Sequence, residues 1–290
     1  MSSHFVTQDE VLGRSTTLPG FPAIITKILA TLEDPEANLS ALVDHIGHDP
    51  VIAARVLSLA SLATGHQSRM SPVRSLFTAT SLIGINRVRE VTIFSSVAHF
   101  VGQYSPAKIS AAFWQHSVSV GVCCEELALH TTSPASPVIA LIAGLLHDIG
   151  QLWLYRFNQA NFRAAWNRAL VDGVPIETAE RERFGIDHSI IGAWLADHWS
   201  LPAGIYDAIR HHHQPDSALD EPLVPIVHIA EVLSNALELA GREENRVVTI
   251  SSAACRKLDL VWDETAQPLF GRMEARSRHA NALFQDTATL

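Results

Sequence analysis

The sequence has few of the features that mark secreted or membrane-embedded proteins. It contains three cysteines, Cys123, Cys124 and Cys255, and an odd number that includes an adjacent pair does not suit a disulfide framework. No apolar run reaches the roughly 18 residues that a membrane span requires, and the first residues lack the basic start and the apolar segment of a signal peptide. We therefore expect a protein of the reducing cytoplasm that has no membrane partner.

Positive charge is also scarce. The chain carries 21 lysines and arginines against 30 aspartates and glutamates, which gives a formal net charge of −9. Because binding to a nucleic acid backbone relies on clustered basic residues, we do not expect a nucleic acid partner.

Alternating strand patterns are absent from the first half of the chain, where apolar residues recur at helical spacing instead. A helix begins after Asp49-Pro50, and others are predicted at about 22–33, 39–46, 72–83 and 86–101. The second half continues in the same way, with helices that include about 106–131, 175–184, 188–199 and 223–240. The sequence therefore predicts an all-α protein.

Proline and glycine mark the borders between the predicted parts. Residues 1–17 are expected to form a loose lead-in, and Tyr104-Ser105-Pro106 separates two subdomains. We predict three parts: an N-terminal helical subdomain at 15–105, a second subdomain at 106–241 and a C-terminal helical extension at 242–290.

Histidine is abundant, with 15 residues, and the most informative one stands in the segment Leu145-Leu146-His147-Asp148-Ile149-Gly150. An apolar helix that starts near Ile139 brings this imidazole and this carboxylate side by side in a setting that should be buried. A neutral imidazole together with a carboxylate suits Zn, Fe, Mn or Ni ions. The pair can also be explained without a metal, with His147 in a polar network and Asp148 in contact with the following loop. Only the presence of further donors elsewhere in the chain can distinguish a metal site from this alternative.

Other potential donors lie on predicted helices or within two residues of a helix end: His116, His188, His212, His213 and Glu231. Helices of a bundle can bring such residues together in the core, where di-metal sites are commonly built. His116 taken alone is better explained as a core histidine with a hydrogen-bond partner. The polar helix at 175–184, which includes Glu180, is expected to form a solvated charged face.

Two N-terminal motifs carry a resemblance to a known family. Leu18-Pro19 precedes a helix, and Asp49-Pro50 leads into Ala54-Arg55-Val56-Leu57-Ser58-Leu59-Ala60. This order, over roughly residues 15–100, resembles the N-terminal half of HDOD domains, which are bacterial relatives of the HD metal-dependent phosphohydrolases. Ser61 stands where that family often has asparagine.

The donors between about 106 and 240 carry a second resemblance. Their order resembles the ligand set of the HD superfamily, and Gly192-Ala193-Trp194-Leu195 and Trp199-Ser200-Leu201-Pro202 resemble its spacers. The resemblance implies a multi-helix bundle of HD type with an additional N-terminal helical subdomain. It also implies one or two divalent ions, the first held by His116, His147, Asp148 and Glu231, and the second by Asp148, His188 and one or both of His212 and His213.

Two bridged ions would lower the pKa of a shared water and generate hydroxide near neutral pH, and Asp148 is then the candidate for a catalytic role. Three departures count against catalysis. Gln151 stands where active relatives usually have lysine, Glu231 replaces the usual aspartate, and the Gly-Tyr-Pro segment of the cyclic di-GMP phosphodiesterases is missing after His213. The loop at 214–222 instead places acidic residues where an anionic dinucleotide would approach.

HDOD domains are generally regarded as regulatory, and the resemblance extends this expectation to the present chain. The leading hypothesis is a stand-alone bacterial signal transduction protein that acts on signalling proteins in trans and binds metal without strong catalysis. The alternative is a metal-dependent phosphohydrolase or nucleotide phosphodiesterase with a nucleotide or phosphoester ligand. A helical scaffold without a ligand is the third hypothesis.

Overall fold

The computed structural model describes residues 5–17, 20–33, 39–63, 73, 75–104, 111–240 and 249–285. These residues form α-helices, two short 3-10 turns and connecting loops, and no strand occurs among them. The all-α fold expected from the sequence is therefore confirmed. The chain divides into two compact units: a smaller unit of Gly20–Gln103 and Leu283–Leu290, and a larger unit of Met1–Pro19 and Tyr104–Ala282.

The described residues up to Tyr104 form six helices: α1 (Gln8–Ser15), α2 (Ala23–Glu33), α3 (Leu39–Gly47), α4 (Pro50–Ala63), α5 (Leu76–Ile83) and α6 (Ile85–Tyr104). In the smaller unit α3 and α5 pack against α4, and Ile25, Ile28 and Val56 belong to its buried core. The predicted bounds of α2 and α3 are correct to within one residue, because both helices follow from local apolar spacing.

The remaining described residues form ten helices, with α7 and α8 as the first pair: α7 (Ala111–His130), α8 (Pro137–Leu146), α9 (Ile149–Phe157), α10 (Gln159–Asp172), α11 (Ile176–Phe184), α12 (His188–His198), α13 (Ala203–His211), α14 (Leu223–Ala236), α15 (Ser252–Lys257) and α16 (Gln267–Gln285). α14 ends before the predicted bound near 240. Glu238 there takes a left-handed backbone (φ 52°), and the Leu239 amide donates to the Ser234 carbonyl, which closes the helix. Glycine often ends a helix, but Gly241, the next glycine in the sequence, lies outside the described residues.

α1 contradicts the loose lead-in that the sequence predicted over residues 1–17. Thr7 caps this helix, since its Oγ1 accepts a hydrogen bond from the Glu10 amide at 3.3 Å. Val11 is fully buried, α1 packs against α12, and the Val6 amide donates to the Phe184 carbonyl at 2.9 Å. Contacts with distant parts of the chain, rather than a local apolar pattern, therefore order this segment.

The core of the larger unit is built around α8, which packs against α7 and α14. The stretch Pro137–Phe157 is long and apolar enough to cross a membrane by length and composition, but 83% of its most apolar window is buried inside the protein. Burial of this kind is typical of a helix in the core of a helical bundle. All three cysteines are buried and free, which agrees with the absence of a disulfide framework.

α9 and α12 cross at a pair of glycines. A Cβ atom added to Gly150 would lie 2.0 Å from the carbonyl oxygen of His188 and 2.8 Å from the amide nitrogen of Gly192. Only a residue without a side chain allows so close an approach of two backbones. The crossing therefore holds the start of α12 against the start of α9.

α16 packs against α7 through ion pairs. Arg272 donates to Glu126 at 2.9 Å, and Arg276 donates to Glu126 at 2.7 Å and also pairs with Glu125. The predicted division into 15–105, 106–241 and 242–290 stays a prediction. The compact units group α1, α15 and the part of α16 up to Ala282 with α7–α14.

Candidate metal centre

The His147-Asp148 pair lies at the junction of two helices. α8 ends at Leu146, and Asp148 has a bridge-region backbone (φ −97°, ψ 13°) directly before α9. The sequence suggested one apolar helix that carries both residues, whereas the helix breaks at the pair. Both side chains are nevertheless buried, as expected.

Four histidines surround the carboxylate of Asp148, and its two oxygens face different pairs. Oδ1 lies 3.1 Å from Nε2 of His188 and 3.8 Å from Nε2 of His212. Oδ2 lies 3.4 Å from Nε2 of His147 and 3.8 Å from Nε2 of His116. The carboxylate therefore stands between two sets of donors, as a bridging ligand would.

Two further predicted donors complete the arrangement. Nε2 of His213 lies 2.9 Å from Nε2 of His188, and Nδ1 of His213 lies 3.9 Å from Oε2 of Glu231 on α14. The donors fall into two groups, and within each group the ligand atoms lie within 4.8 Å of one another. Group A is His116, His147 and Glu231, and group B is Asp148, His188, His212 and His213. The structure brings together all seven residues that the sequence singled out. Their role as metal ligands stays a prediction.

Hydrogen bonds fix which ring nitrogen of three histidines faces the centre. Nδ1 of His147 lies 2.7 Å from the Gly144 carbonyl, and Nδ1 of His212 lies 2.8 Å from the Ile209 carbonyl. A carbonyl only accepts, so Nδ1 must carry the hydrogen and a neutral ring presents a lone pair at Nε2. Nδ1 of His188 is held in the same way by a carboxylate, at 2.6 Å. Inward-facing Nε2 atoms around a carboxylate fit a cation, which would take the place of a proton on Nε2 of His188.

Burial and neighbouring charges shift the pKa values of the central groups. Burial opposes ionisation of Asp148, but the imidazoles of His147 and His188 hold the pKa of this carboxyl well below its usual range. Burial also opposes protonation of His188, yet Glu180 and Asp148 raise its pKa well above the ordinary value. Burial, and then the charge of Asp148, raise the pKa of Glu231 well above its usual range. Negative charge is therefore concentrated at Asp148.

The adjacent histidines of group B are neutral near pH 7. Burial is the largest cause of the lowered pKa of His212 and of His213, and the neighbouring imidazoles add to it. Neutral imidazole is the form that binds a metal ion. The donor chemistry of the centre thus fits divalent ions that imidazole and carboxylate can hold.

Glu180 was assigned wrongly from the sequence. It was expected on a solvated face, but its side chain is fully buried and its Oε2 accepts hydrogen bonds from His188. A signal was present, because Ile176, Ala179 and Phe184 recur at helical spacing and place residue 180 on the apolar side of α11. Burial raises the pKa of Glu180, and His188 opposes this shift.

Comparison with known proteins identifies the family. The model of the HDOD domain matches residues 18–215. The chain belongs to the HDOD family. This HDOD protein is also 24% identical over 239 residues to an uncharacterized protein of Treponema pallidum (strain Nichols). That match covers 79% of the present chain and 44% of the relative, so the chain spans less than half of the length of that curated protein.

Solved structures share the fold of this HDOD protein. An HDOD domain protein of unknown function from Geobacter sulfurreducens has a TM-score of 0.73 at 23% identity, and the match covers 93% of both chains. A proposed signal transduction protein from Marinobacter aquaeolei VT8 has a TM-score of 0.75 at 20% identity, with 99% of this chain and 63% of that one covered. A proposed phosphohydrolase from Shewanella amazonensis SB2B has a TM-score of 0.61 at 24% identity, with 92% and 97% covered. At these identities the likeness concerns the fold alone.

Two acidic residues in the loop after His213 have partners in or directly before α15. A carboxylate oxygen of Asp216 accepts a hydrogen bond from the Ser251 hydroxyl, and Asp220 forms an ion pair with Lys257 at 3.0 Å. Asp220 is exposed, so this surface pair offsets its charge only weakly, and the expected opposition of the loop at 214–222 to an anionic dinucleotide stays a prediction. Gln151, by contrast, is buried on α9 and brings no charge to the centre.

Proposed function

We propose that this HDOD protein is a regulatory component of bacterial signal transduction, that it acts in the cytoplasm through contacts with other proteins in trans, and that its metal centre binds divalent ions without strong catalysis. The convergence of six other donors around Asp148 carries the metal part of the proposal. Membership of the HDOD family supports the regulatory part. The net charge of −9 favours a protein partner over a nucleic acid.

Two divalent ions, of Fe, Mn, Zn or Ni, suit the imidazole and carboxylate donors. The residues that would hold the first are His116, His147, Asp148 and Glu231, and those that would hold the second are Asp148, His188, His212 and His213. Asp148 would serve both ions, since its oxygens face separate sets of histidines. Ions bound there would lower the pKa of a coordinated water.

The charges around the centre support the proposal of weak catalysis. Cleavage of a phosphodiester needs positive charge opposite the developing negative charge, and it needs the substrate held in line. Gln151 carries no charge, and Glu177 lies near enough to add to the raised pKa of Glu231. At close range each negative charge opposes an anionic phosphate by about 1 kcal/mol or more. Bound metal would therefore be accompanied by little turnover.

A metal-dependent phosphohydrolase or nucleotide phosphodiesterase is the second candidate, and one observation favours it. The two oxygens of Asp148 face separate donor sets, and a pair of neighbouring ions can clamp the attacking and leaving oxygens of a displacement. The ligand would then be a nucleotide or another phosphoester, and Asp148 would be the residue on which catalysis depends.

Metal analysis of freshly purified protein tests the metal part of the proposal. We expect bound divalent metal that is lost in Asp148→Ala and in His116→Ala. The matched variant His130→Ala should keep its metal, because His130 is an exposed histidine at the end of the same helix, α7. Metal-free wild-type protein that takes up no added divalent ion would refute the metal centre.

Assays of metal-loaded protein with cyclic di-GMP and generic phosphodiesters test the remainder. We expect the substrates to stay intact and a signalling protein to be recovered by pull-down from cell extract. Turnover at about 1 per second, an ordinary enzyme rate, that disappears in Asp148→Ala would instead make the hydrolase the better assignment.

A further inference from the structure

Glu180 is a fully buried carboxylate outside both donor groups. Its Oε2 accepts two hydrogen bonds from the same residue, one from the backbone amide of His188 at 2.9 Å and one from Nδ1 of His188 at 2.6 Å. The chain makes this contact possible at Gly185, whose left-handed backbone (φ 79°) ends α11 and turns the chain back towards α12.

The position of His188 on its helix explains why the ring needs a side-chain partner. His147 and His212 directly follow the ends of α8 and α13, and Nδ1 of each donates to the carbonyl three residues earlier. Carbonyls in the last turn of a helix have no helical partner, so they are available as acceptors. His188 is the first residue of α12, where the backbone offers free amide donors and no free carbonyl. Glu180 supplies the acceptor that this end of a helix lacks.

The charge of group B also favours a carboxylate as the partner of His188. Its ligands are three imidazoles and the single carboxylate of Asp148, which also faces the histidines of group A. A divalent ion in group B would therefore meet little negative charge of its own. The carboxylate of Glu180 lies one hydrogen bond away from that ion's ligand. A hydrogen bond to a charged acceptor is stronger than one to a carbonyl, and it makes the imidazole a better donor to the metal.

We propose that Glu180 is the positioning residue of group B: it holds the Nδ1–H of His188, turns Nε2 towards Asp148 and strengthens this ring as a ligand. The inference rests on the metal binding proposed above and concerns one of the two ions. Glu180 acts through His188 and not by direct coordination.

Titration of the metal-free full-length protein with Co2+, followed by visible absorption, tests the inference. We expect wild-type protein to bind two ions, and Glu180→Gln to bind one of them about 10–100-fold more weakly with a shifted absorption band. The second ion should bind as in wild type. Glu182→Gln is the matched control, since it makes the same change on the same helix at a residue that pairs with Arg168 on the surface. Unchanged affinity and an unchanged spectrum in Glu180→Gln would overturn the inference.

A second measurement does not depend on the folding of a variant. In wild-type protein with 15N-labelled histidine and bound Zn2+, NMR should show Nε2 of His188 coordinated and Nδ1 still protonated. Coordination through Nδ1 would overturn the role of Glu180 even if Glu180→Gln does not fold. Wild-type protein that binds neither Co2+ nor Zn2+ would refute the metal centre and this inference together. If wild-type protein binds two ions and Glu180→Gln changes neither the affinity nor the spectrum, the role of Glu180 is refuted and the metal centre is not.

Discussion

Replacement of Gly150 by alanine tests how closely packed helices assemble the metal centre. Gly150 lies in the first turn of α9, two residues after Asp148, where α9 crosses α12. The added carbon would sit 2.0 Å from the carbonyl oxygen of His188 and 2.8 Å from the amide nitrogen of Gly192, and neither backbone atom can rotate away. Carbon and oxygen atoms in contact normally lie about 3.3 Å or more apart, so the two helices would have to separate by about 1 Å.

Two opposing effects set the size of the change. Alanine favours a helix interior over glycine by about 0.8–1 kcal/mol, whereas overpacking a core typically costs about 1–3 kcal/mol. Because the clash is with backbone atoms, we expect the overpacking at Gly150 to cost about 3 kcal/mol. After the helix preference of alanine is subtracted, the free energy of unfolding should fall by about 2 kcal/mol. For a unit of this size each kcal/mol corresponds to about 2–4 °C, so Tm should fall by about 4–8 °C. Separation of the helices would also move His188 away from Asp148, so metal affinity should fall.

Thermal unfolding of metal-free protein and Co2+ titration measure the two effects. Gly271→Ala is the matched control, because Gly271 lies within α16 and no atom lies within 4 Å of a Cβ built there. That control should gain up to about 1 kcal/mol and keep its Co2+ affinity. Wild-type stability together with wild-type Co2+ affinity in Gly150→Ala would refute the reasoning that the close crossing positions His188.

Removal of the ions and of one ion pair should also have measurable effects. Because bound ions stabilise the folded state by mass action, a chelator should lower the Tm of wild type. Asp148→Ala should remove most of this effect of the chelator. Wild-type melting curves that superimpose with and without chelator would contradict the prediction. Burial opposes ionisation of Glu126, but hydrogen bonds from Arg276 and Arg272 lower its pKa. Its contribution to stability is therefore complete above the ordinary glutamate pKa of about 4.3 and is lost as the pH falls through the lower folded value. Glu126→Gln should lower the free energy of unfolding by about 1–2 kcal/mol at pH 7, a value that already allows for the solvent around the arginines. Urea unfolding at pH 3 should show a smaller difference between this variant and wild type. The same difference at both pH values would argue against the ion pair.

The positions of most helices could be predicted because they depend on residues that are close in sequence. Ile24, Ile25 and Ile28 define one face of α2 whatever the rest of the chain does. The convergence of the donors could not be predicted from local spacing. Spacing alone places His116 and Glu231 on separate helices, and only the resemblance to the HD superfamily suggested that these helices meet.

The errors concern residues whose environment is set by distant contacts. Glu180 stands next to Arg181 and Glu182, a pattern typical of a solvated face, yet its side chain is buried because α12 folds back over α11. Val11 is buried in the same way, since α1 packs against a helix far away in sequence. For Glu180 the apolar spacing of Ile176, Ala179 and Phe184 is a local signal, but the neighbouring charges point the other way. For Val11 the packing against a distant helix leaves no period in the local sequence.

Helix ends nevertheless make part of the centre predictable. A histidine that directly follows a helix finds a free carbonyl three residues earlier, as His147 and His212 do, so its Nδ1 proton is fixed locally. A histidine that begins a helix has no such carbonyl and needs an acid from elsewhere. Asp187, the neighbour of His188, cannot serve, because its Oδ1 accepts from Ser189 and the Ile190 amide and its Oδ2 pairs with Arg181. The acid that His188 requires must then come from another helix, which is the requirement that Glu180 meets.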